Sequence, residues 1–118
     1  MAADRMRQVN ELVRTRVAEA ISRDVELPLD SFVTVVSVET SRDLQHAAVY
    51  VMVIPDGKRV STMKKLNGQK HVVQKALAAA LKMKFTPKIR FVLDENGIRA
   101  QSIYDVLDRV DHDTQDEE

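Results

Sequence analysis

Residues 63–81 have the sequence MKKLNGQKHVVQKALAAAL, and this stretch decides the fold. Asn67 and Gly68 interrupt it, and glycine costs about 1 kcal/mol relative to alanine inside a helix. The stretch therefore predicts an amphipathic helix that bends at residues 67–68. Its apolar residues recur at the spacing of one helix face, at Met63, Leu66, Val73, Ala76, Leu77, Ala80 and Leu81.

The same region is strongly basic. Between Asp56 and Asp94 the chain has ten lysines and arginines and no aspartate or glutamate, although the whole chain is neutral. A local positive potential attracts polyanions whatever the net charge. A lysine run on a helix is most often only a solvated face, but such a face usually mixes acids with bases. Because no acid is interleaved here, we favour a nucleic-acid-binding surface.

A bend at residues 67–68 creates a new helix start, where backbone N–H groups lack intrahelical acceptors and point toward anions. We therefore expect a phosphate-binding corner there, in a helix capped by Ser61 or Thr62 that extends to about Lys84. Beyond the bend, His71, Lys75 and Lys82 fall in one row of a continuous helix. The predicted RNA-binding residues of the basic region are Lys64, Lys65, Asn67, Gly68, Lys70, Lys75, Lys82, Lys84, Lys88 and Arg90.

The remaining elements follow from hydrophobic periodicity. Residues 4–23 predict an amphipathic helix capped by Asp4, and residues 98–110 a short last helix. β-branched residues predict a strand over 32–40, apolar on both faces and therefore central in its sheet. Turn residues 40–43 join it to an antiparallel strand over 47–54. Residues 88–94 alternate as a third strand, with Lys88 and Arg90 on one face.

This order of elements predicts an α+β fold in which helices cover one face of a three-stranded mixed sheet. At 118 residues we expect one domain, over residues 1–110, and a disordered acidic tail over 111–118. Arg5 and Arg7 on the first helix and Arg42 at the hairpin tip are further candidate RNA contacts. For any one of these arginines a merely solvated position is at least as common.

The sequence lacks the motifs that carry enzyme chemistry. It has no phosphate-binding P-loop, no zinc-protease helix motif and no serine-hydrolase elbow, and its three histidines have no ligand spacing. The absence of cysteine excludes disulfides and thiolate metal sites. We expect no catalysis, metal, cofactor or small-molecule substrate. No apolar run has the length of about 20 residues that a membrane span needs, so we expect a cytoplasmic protein. We also expect a monomer.

Three stretches of this chain resemble the ribosome-binding factor A family, whose members act in maturation of the bacterial small ribosomal subunit. The resemblance covers about residues 5–108, and the hairpin is its most specific part. The stretches are the first helix with Arg5, Val9, Arg16, Val17 and Ile21; the hairpin from Val36 through Ser41, Arg42, Asp43 and Leu44 to Val51; and Pro87 to Phe91 followed by Asp94.

The resemblance implies a type II KH-like fold. KH domains grip the nucleic-acid backbone with a GXXG loop between two helices. In place of that loop, the ribosome-binding factor A family has a similar helix kink that contains Ala-x-Gly. The matching positions in this chain are 66–68. Gly68 agrees with that pattern, whereas Leu66 stands where the family has a small residue.

The resemblance also implies a function. It implies binding to free 30S subunits, contact with 16S rRNA near its 5′-terminal helix and the decoding-site neck, and a part in late rRNA processing. The alternative from a different class is a protein-binding adaptor whose basic helix meets an acidic partner protein without touching RNA.

Overall fold

The computed structural model describes residues 2–82, 86–95 and 97. It confirms the predicted order of elements through the third strand. The predicted last helix and the acidic tail lie outside the described residues. The elements are α1 (Ala2–Asp24), β1 (Phe32–Thr40), β2 (His46–Ile54), a 3-10 turn (Asp56–Lys58), α2 (Arg59–Gly68), α3 (Lys70–Ala80) and β3 (Lys88–Leu93).

The three strands form one mixed sheet in the order β1-β2-β3. β1 pairs antiparallel with β2, as the hairpin prediction required, and β3 pairs parallel with β2. The prediction that β1 is central was wrong, because β2 lies in the middle. The register of β1 shifts between Val35 and Ser37. A bulge of this kind breaks the alternation of side chains. The adjacent buried residues Val35 and Val36 therefore do not mark a strand in the centre of a sheet.

α1 and α3 contact each other, and α1 covers the sheet on the β1 side. α1 contributes Val13, Val17 and Ile21 to the core, at the spacing predicted for one helix face. Burying each such aliphatic side chain contributes about 1.5–3 kcal/mol. The sheet and the other helices complete the core with Val35, Val38, Ala47, Val49, Val51, Leu66, Val73, Leu77, Leu81, Ile89 and Phe91.

Three predicted helix ends were wrong. α1 begins before Asp4, whose carboxylate lies in the first turn, where it interacts favourably with the helix dipole. α2 begins at Arg59 without a side-chain cap, so Ser61 and Thr62 lie inside it. α3 ends at Ala80 because Leu81 adopts an extended backbone, with φ −89° and ψ 118°. The 3-10 turn over Asp56–Lys58 leads directly into α2, so the helical backbone begins before Ser61.

Candidate nucleic-acid interface

The predicted bend exists, one residue after the Asn-Gly pair. α2 ends at Gly68 and α3 begins at Lys70, with Gln69 between them at φ −109° and ψ 15°. In a continuous helix the Gln69 N–H would donate to the Lys65 carbonyl. Here that N–H donates to the Leu66 carbonyl at 3.1 Å. The Gln69 side-chain Nε2 donates to the Lys65 carbonyl instead, also at 3.1 Å. The side chain thus replaces the backbone bond that the break removes.

Gln69 also fastens the break to a distant part of the chain. Its Oε1 accepts the Glu26 N–H at 2.9 Å, and its Nε2 donates to the Glu26 carbonyl at 2.7 Å. These bonds join the corner to the connection between α1 and β1. Sequence reasoning missed Gln69, because no local signal pairs it with a residue 43 positions earlier.

We call the residues around the break the corner group. Lys64 and Lys65 are exposed, and Lys70 is half-buried. Within the described part of the chain, none of these three lysines has a carboxylate within 4.0 Å. Their charge is therefore available to an anion. The members of the corner group are Lys64, Lys65, Asn67, Gly68 and Lys70.

Leu66 and Gly68, which match the Ala and the Gly of the family's Ala-x-Gly kink, have different surroundings. Leu66 is fully buried and belongs to the hydrophobic core. Gly68 has no left-handed φ, and a Cβ added to it would meet no atom within 4 Å. Neither strain nor packing therefore requires glycine at position 68. The missing side chain leaves open surface beside Lys64 and Lys65.

The predicted row of His71, Lys75 and Lys82 beyond the bend was only partly correct. His71 and Lys75 are exposed on α3. Lys82 is exposed but lies two residues beyond the end of α3, so it cannot continue the row. Lys84 lies outside the described residues.

Lys88 and Arg90 lie elsewhere. Both are exposed on β3, and the residues between and after them, Ile89 and Phe91, point into the core. Side chains alternate between the two faces of a strand. Lys88 and Arg90 therefore project from the sheet face opposite the helices, which separates them from the corner group. Lys88 pairs in register with His46, which adds an imidazole to this face.

A third group of predicted cations lies near the β1–β2 turn and consists of Arg5, Arg7 and Arg42. The Asn10 Oδ1 accepts the Thr40 N–H at 2.9 Å, which puts the first part of α1 beside the β1–β2 turn. Arg5 and Arg7 are exposed near that end of α1, and Arg42 is exposed on the turn. At 1.5 Å per residue, α1 separates Arg5 from the corner end of the molecule by about 30 Å. Eight of the predicted cations thus form three groups, which are Lys64, Lys65 and Lys70; Lys88 and Arg90; and Arg5, Arg7 and Arg42.

Other arginines of α1 are held by acids of the same helix. Arg14 pairs with Glu11, Arg16 with Glu19 at 3.1 Å, and Arg23 with Asp24 at 3.1 Å. The Arg14 hydrogen bond lowers the pKa of Glu11. These three arginines form the solvated face that surface charges usually provide.

A hydrogen-bond network fixes the turn that carries Arg42. The Ser41 hydroxyl donates to the Asp43 Oδ1 at 2.6 Å, and the Gln45 N–H donates to the same oxygen at 3.1 Å. Both bonds favour the ionised carboxylate, so they lower the pKa of Asp43, with the Ser41 bond the larger cause.

Among residues 2–82, 86–95 and 97, no helix is long and apolar enough to cross a membrane. Within the same residues, no three His, Cys, Asp or Glu side chains are grouped so that they could hold a metal ion.

The broken helix pair and the mixed sheet in the order β1-β2-β3 define a KH-like α+β domain. The family model described as Ribosome-binding factor A matches residues 5–107. The chain belongs to the ribosome-binding factor A family.

Individual relatives and solved structures support the same family. The chain is 33% identical to a ribosome-binding factor A of Akkermansia muciniphila over 104 residues, which cover 88% of this chain and 82% of the relative. The solution structure of a candidate ribosome-binding factor A from Thermotoga maritima has a TM-score of 0.65 and 32% identity, and the match covers 80% of this chain and 90% of that chain. A Thermus thermophilus ribosome-binding factor A, fitted as a homology model into an electron-microscopy map of a 30S complex, has a TM-score of 0.57 and 24% identity over 69% of this chain and 86% of that chain.

Proposed function

We propose that this protein binds the free 30S ribosomal subunit through phosphates of 16S rRNA and supports late steps of 16S rRNA maturation without catalysing a reaction. The observation that carries the proposal is the corner group. Three lysines without carboxylate partners among the described residues surround a helix break that a distant loop holds in place.

The family membership supports the same partner, since the fitted Thermus thermophilus relative is described in a complex with the 30S subunit. Phosphate contacts position a protein on a nucleic acid, and base contacts supply specificity. In this proposal Lys64, Lys65 and Lys70 hold the backbone, and Lys75 extends the contact along α3. The contacted rRNA lies near the 5′-terminal helix and the neck of the subunit.

The hairpin group of Arg5, Arg7 and Arg42, about 30 Å from the corner, suits a second contact on the same large particle. The sheet pair of Lys88 and Arg90 faces another direction, so one rRNA segment does not reach all three groups. We assign the primary contact to the corner, because its lysines are close together in the sequence and Gln69 holds the break between them to Glu26.

Co-sedimentation with purified 30S subunits tests the proposal. The variant Lys64→Gln/Lys65→Gln should weaken binding, and Lys88→Gln/Arg90→Gln is a control that changes two cations on the opposite face. Four phosphate contacts predict a slope of log affinity against log salt of about −3 to −4, and the first variant should reduce its magnitude by about 1.5.

A flat salt response would contradict phosphate binding. If Lys88→Gln/Arg90→Gln weakens 30S binding more than Lys64→Gln/Lys65→Gln does, the primary contact lies on the sheet face instead. Nuclease treatment of a lysate separates the protein-adaptor alternative, because an acidic protein partner would remain bound after the RNA is digested.

A further inference from the structure

A groove lies on the flank of α2 that faces the α1–β1 connection, with a volume of about 820 Å³. Ser61, Lys64 and Gly68 line it at three- and four-residue intervals, so one side of α2 forms one wall. Glu26 and Pro28 form the facing wall. Gln69, the residue at the break, also lines the groove, so the groove begins at the corner group and extends along α2 to Ser61.

The two walls differ in chemistry. Lys64 and Lys65 present cations on the helical wall, and the missing side chain of Gly68 leaves that wall open. Among the described residues that line the groove, Glu26 alone has a carboxylate, and this side chain is exposed. Pro28 adds a half-buried ring beside it. A ligand that fits both walls needs an anionic group, a flat apolar surface and hydrogen-bond donors.

The facing wall is fixed before any ligand arrives. Gln69 holds both backbone polar groups of Glu26, at 2.9 and 2.7 Å. The N–H and the hydroxyl of Ser31 both donate to the Pro28 carbonyl, at 3.2 and 2.8 Å. Because these bonds use the backbone of Glu26, its carboxylate stays available to a ligand. A preorganised wall loses less conformational entropy on binding.

We propose that this groove binds one unpaired guanine nucleotide of RNA, an assignment that rests on the proposed function. Lys64 and Lys65 hold its phosphate, and the base lies on the Pro28 ring. Among the four bases, guanine alone presents two adjacent N–H donors on its Watson–Crick edge, and these match the two oxygens of the Glu26 carboxylate. That edge is free only in an unpaired nucleotide, which is how proteins usually read RNA sequence.

Fluorescence anisotropy with labelled oligonucleotides tests this assignment. The probes are an eight-nucleotide uridine oligomer and the same oligomer with one central guanine, adenine or cytosine. We expect the wild-type protein to bind the guanine probe about tenfold more tightly than the other three, the range of one good bidentate base contact. Glu26→Gln should bind all four probes within about twofold of each other.

Asp30→Asn is the matched control. It removes the same charge from the same connection, outside the groove lining, and asparagine tolerates the left-handed backbone of position 30 at φ 61°. This control should keep the preference for guanine.

Equal wild-type affinity for the four probes, or a preference that survives in Glu26→Gln, overturns the assignment. Failure of the wild-type protein to bind the guanine probe also overturns it. The proposed function is judged separately by 30S binding, so a protein that binds subunits with the predicted salt slope but shows no base preference retains that function and loses this groove.

Discussion

The side-chain amide of Gln69 meets the backbone of Glu26 with one accepted and one donated hydrogen bond, the same pair of bonds that a neighbouring strand residue would make. The same amide also donates a hydrogen bond to the Lys65 carbonyl, which has lost its usual backbone N–H donor at the helix break. One residue thus stabilises the break and the loop across from it.

The first prediction concerns Gln69→Ala. It removes three hydrogen bonds between neutral groups, which are partly open to water, so the free energy of unfolding should fall by about 1–2 kcal/mol. Binding to 30S subunits should weaken as well, because the α2–α3 angle and the Glu26 wall lose their support. Urea denaturation and co-sedimentation measure the two effects. Gln8→Ala, an exposed change on α1, is the control, and a stability loss as small as the control's would contradict the structural role.

The second prediction concerns Gly68→Ala. Position 68 has no left-handed φ, and a Cβ there meets no atom within 4 Å. The substitution should therefore stabilise the protein by about 0.5–1 kcal/mol, because alanine has less conformational freedom to lose on folding. The added methyl should reduce RNA affinity by narrowing the groove.

Gly97→Ala is the contrasting control for that experiment. Gly97 has φ 66°, where a side chain is strained, so this change should destabilise by about 1 kcal/mol or more. Thermal melts that move in the same direction for both alanine variants would contradict the assigned backbone conformations.

The third prediction concerns Thr62→Val. Thr62 is fully buried in α2, and its hydroxyl finds no hydrogen-bond partner in the described structure. A buried hydroxyl without a partner is destabilising, and valine has nearly the same shape. The free energy of unfolding should rise by about 1 kcal/mol. Thr34→Val, at an exposed position of β1, should change the free energy of unfolding little, and a loss of stability in the Thr62 variant would reveal a bond that the buried hydroxyl makes.

The fourth prediction concerns the turn that carries Arg42. Its network lowers the pKa of Asp43, so the stabilisation that Asp43 contributes is present above the unfolded aspartate pKa and is lost as pH falls through the lower folded pKa. Ser41→Ala removes the main cause and should raise the Asp43 pKa toward its ordinary value. A carboxyl NMR titration measures it. Ser22→Ala, on α1, should leave that pKa unchanged, and an equal pKa in both variants would contradict the Ser41 contact.

The strands were predictable nearly to the residue. Residues 32–40 are rich in β-branched side chains, and residues 88–94 alternate between apolar and polar ones, so both patterns indicate strands clearly. β1 begins and ends at the predicted residues. The position of β1 at the edge was not predictable, because the register shift after Val35 depends on its pairing with β2. Three helix ends also escaped prediction, because α1 and α2 begin before their expected cap residues and Leu81 leaves the helical backbone at the end of α3.

The candidate site shows the same division. The lysines around Gly68 and the break beside them followed from charge and helix propensity, which are local properties. The partner of Gln69 and the groove wall at Glu26 did not follow, because they join residues that are 43 positions apart.

The amino-acid sequence by itself determined the element types, the basic block and the family, because periodicity, propensity and charge act between near neighbours along the chain. Only the tertiary structure decided which cations share a surface. Alternation along β3 turns Lys88 and Arg90 to the sheet face away from the helices, and the length of α1 holds Arg5 and Arg7 far from the corner. A continuous run of charge in the sequence thus becomes separate surfaces once the chain is folded.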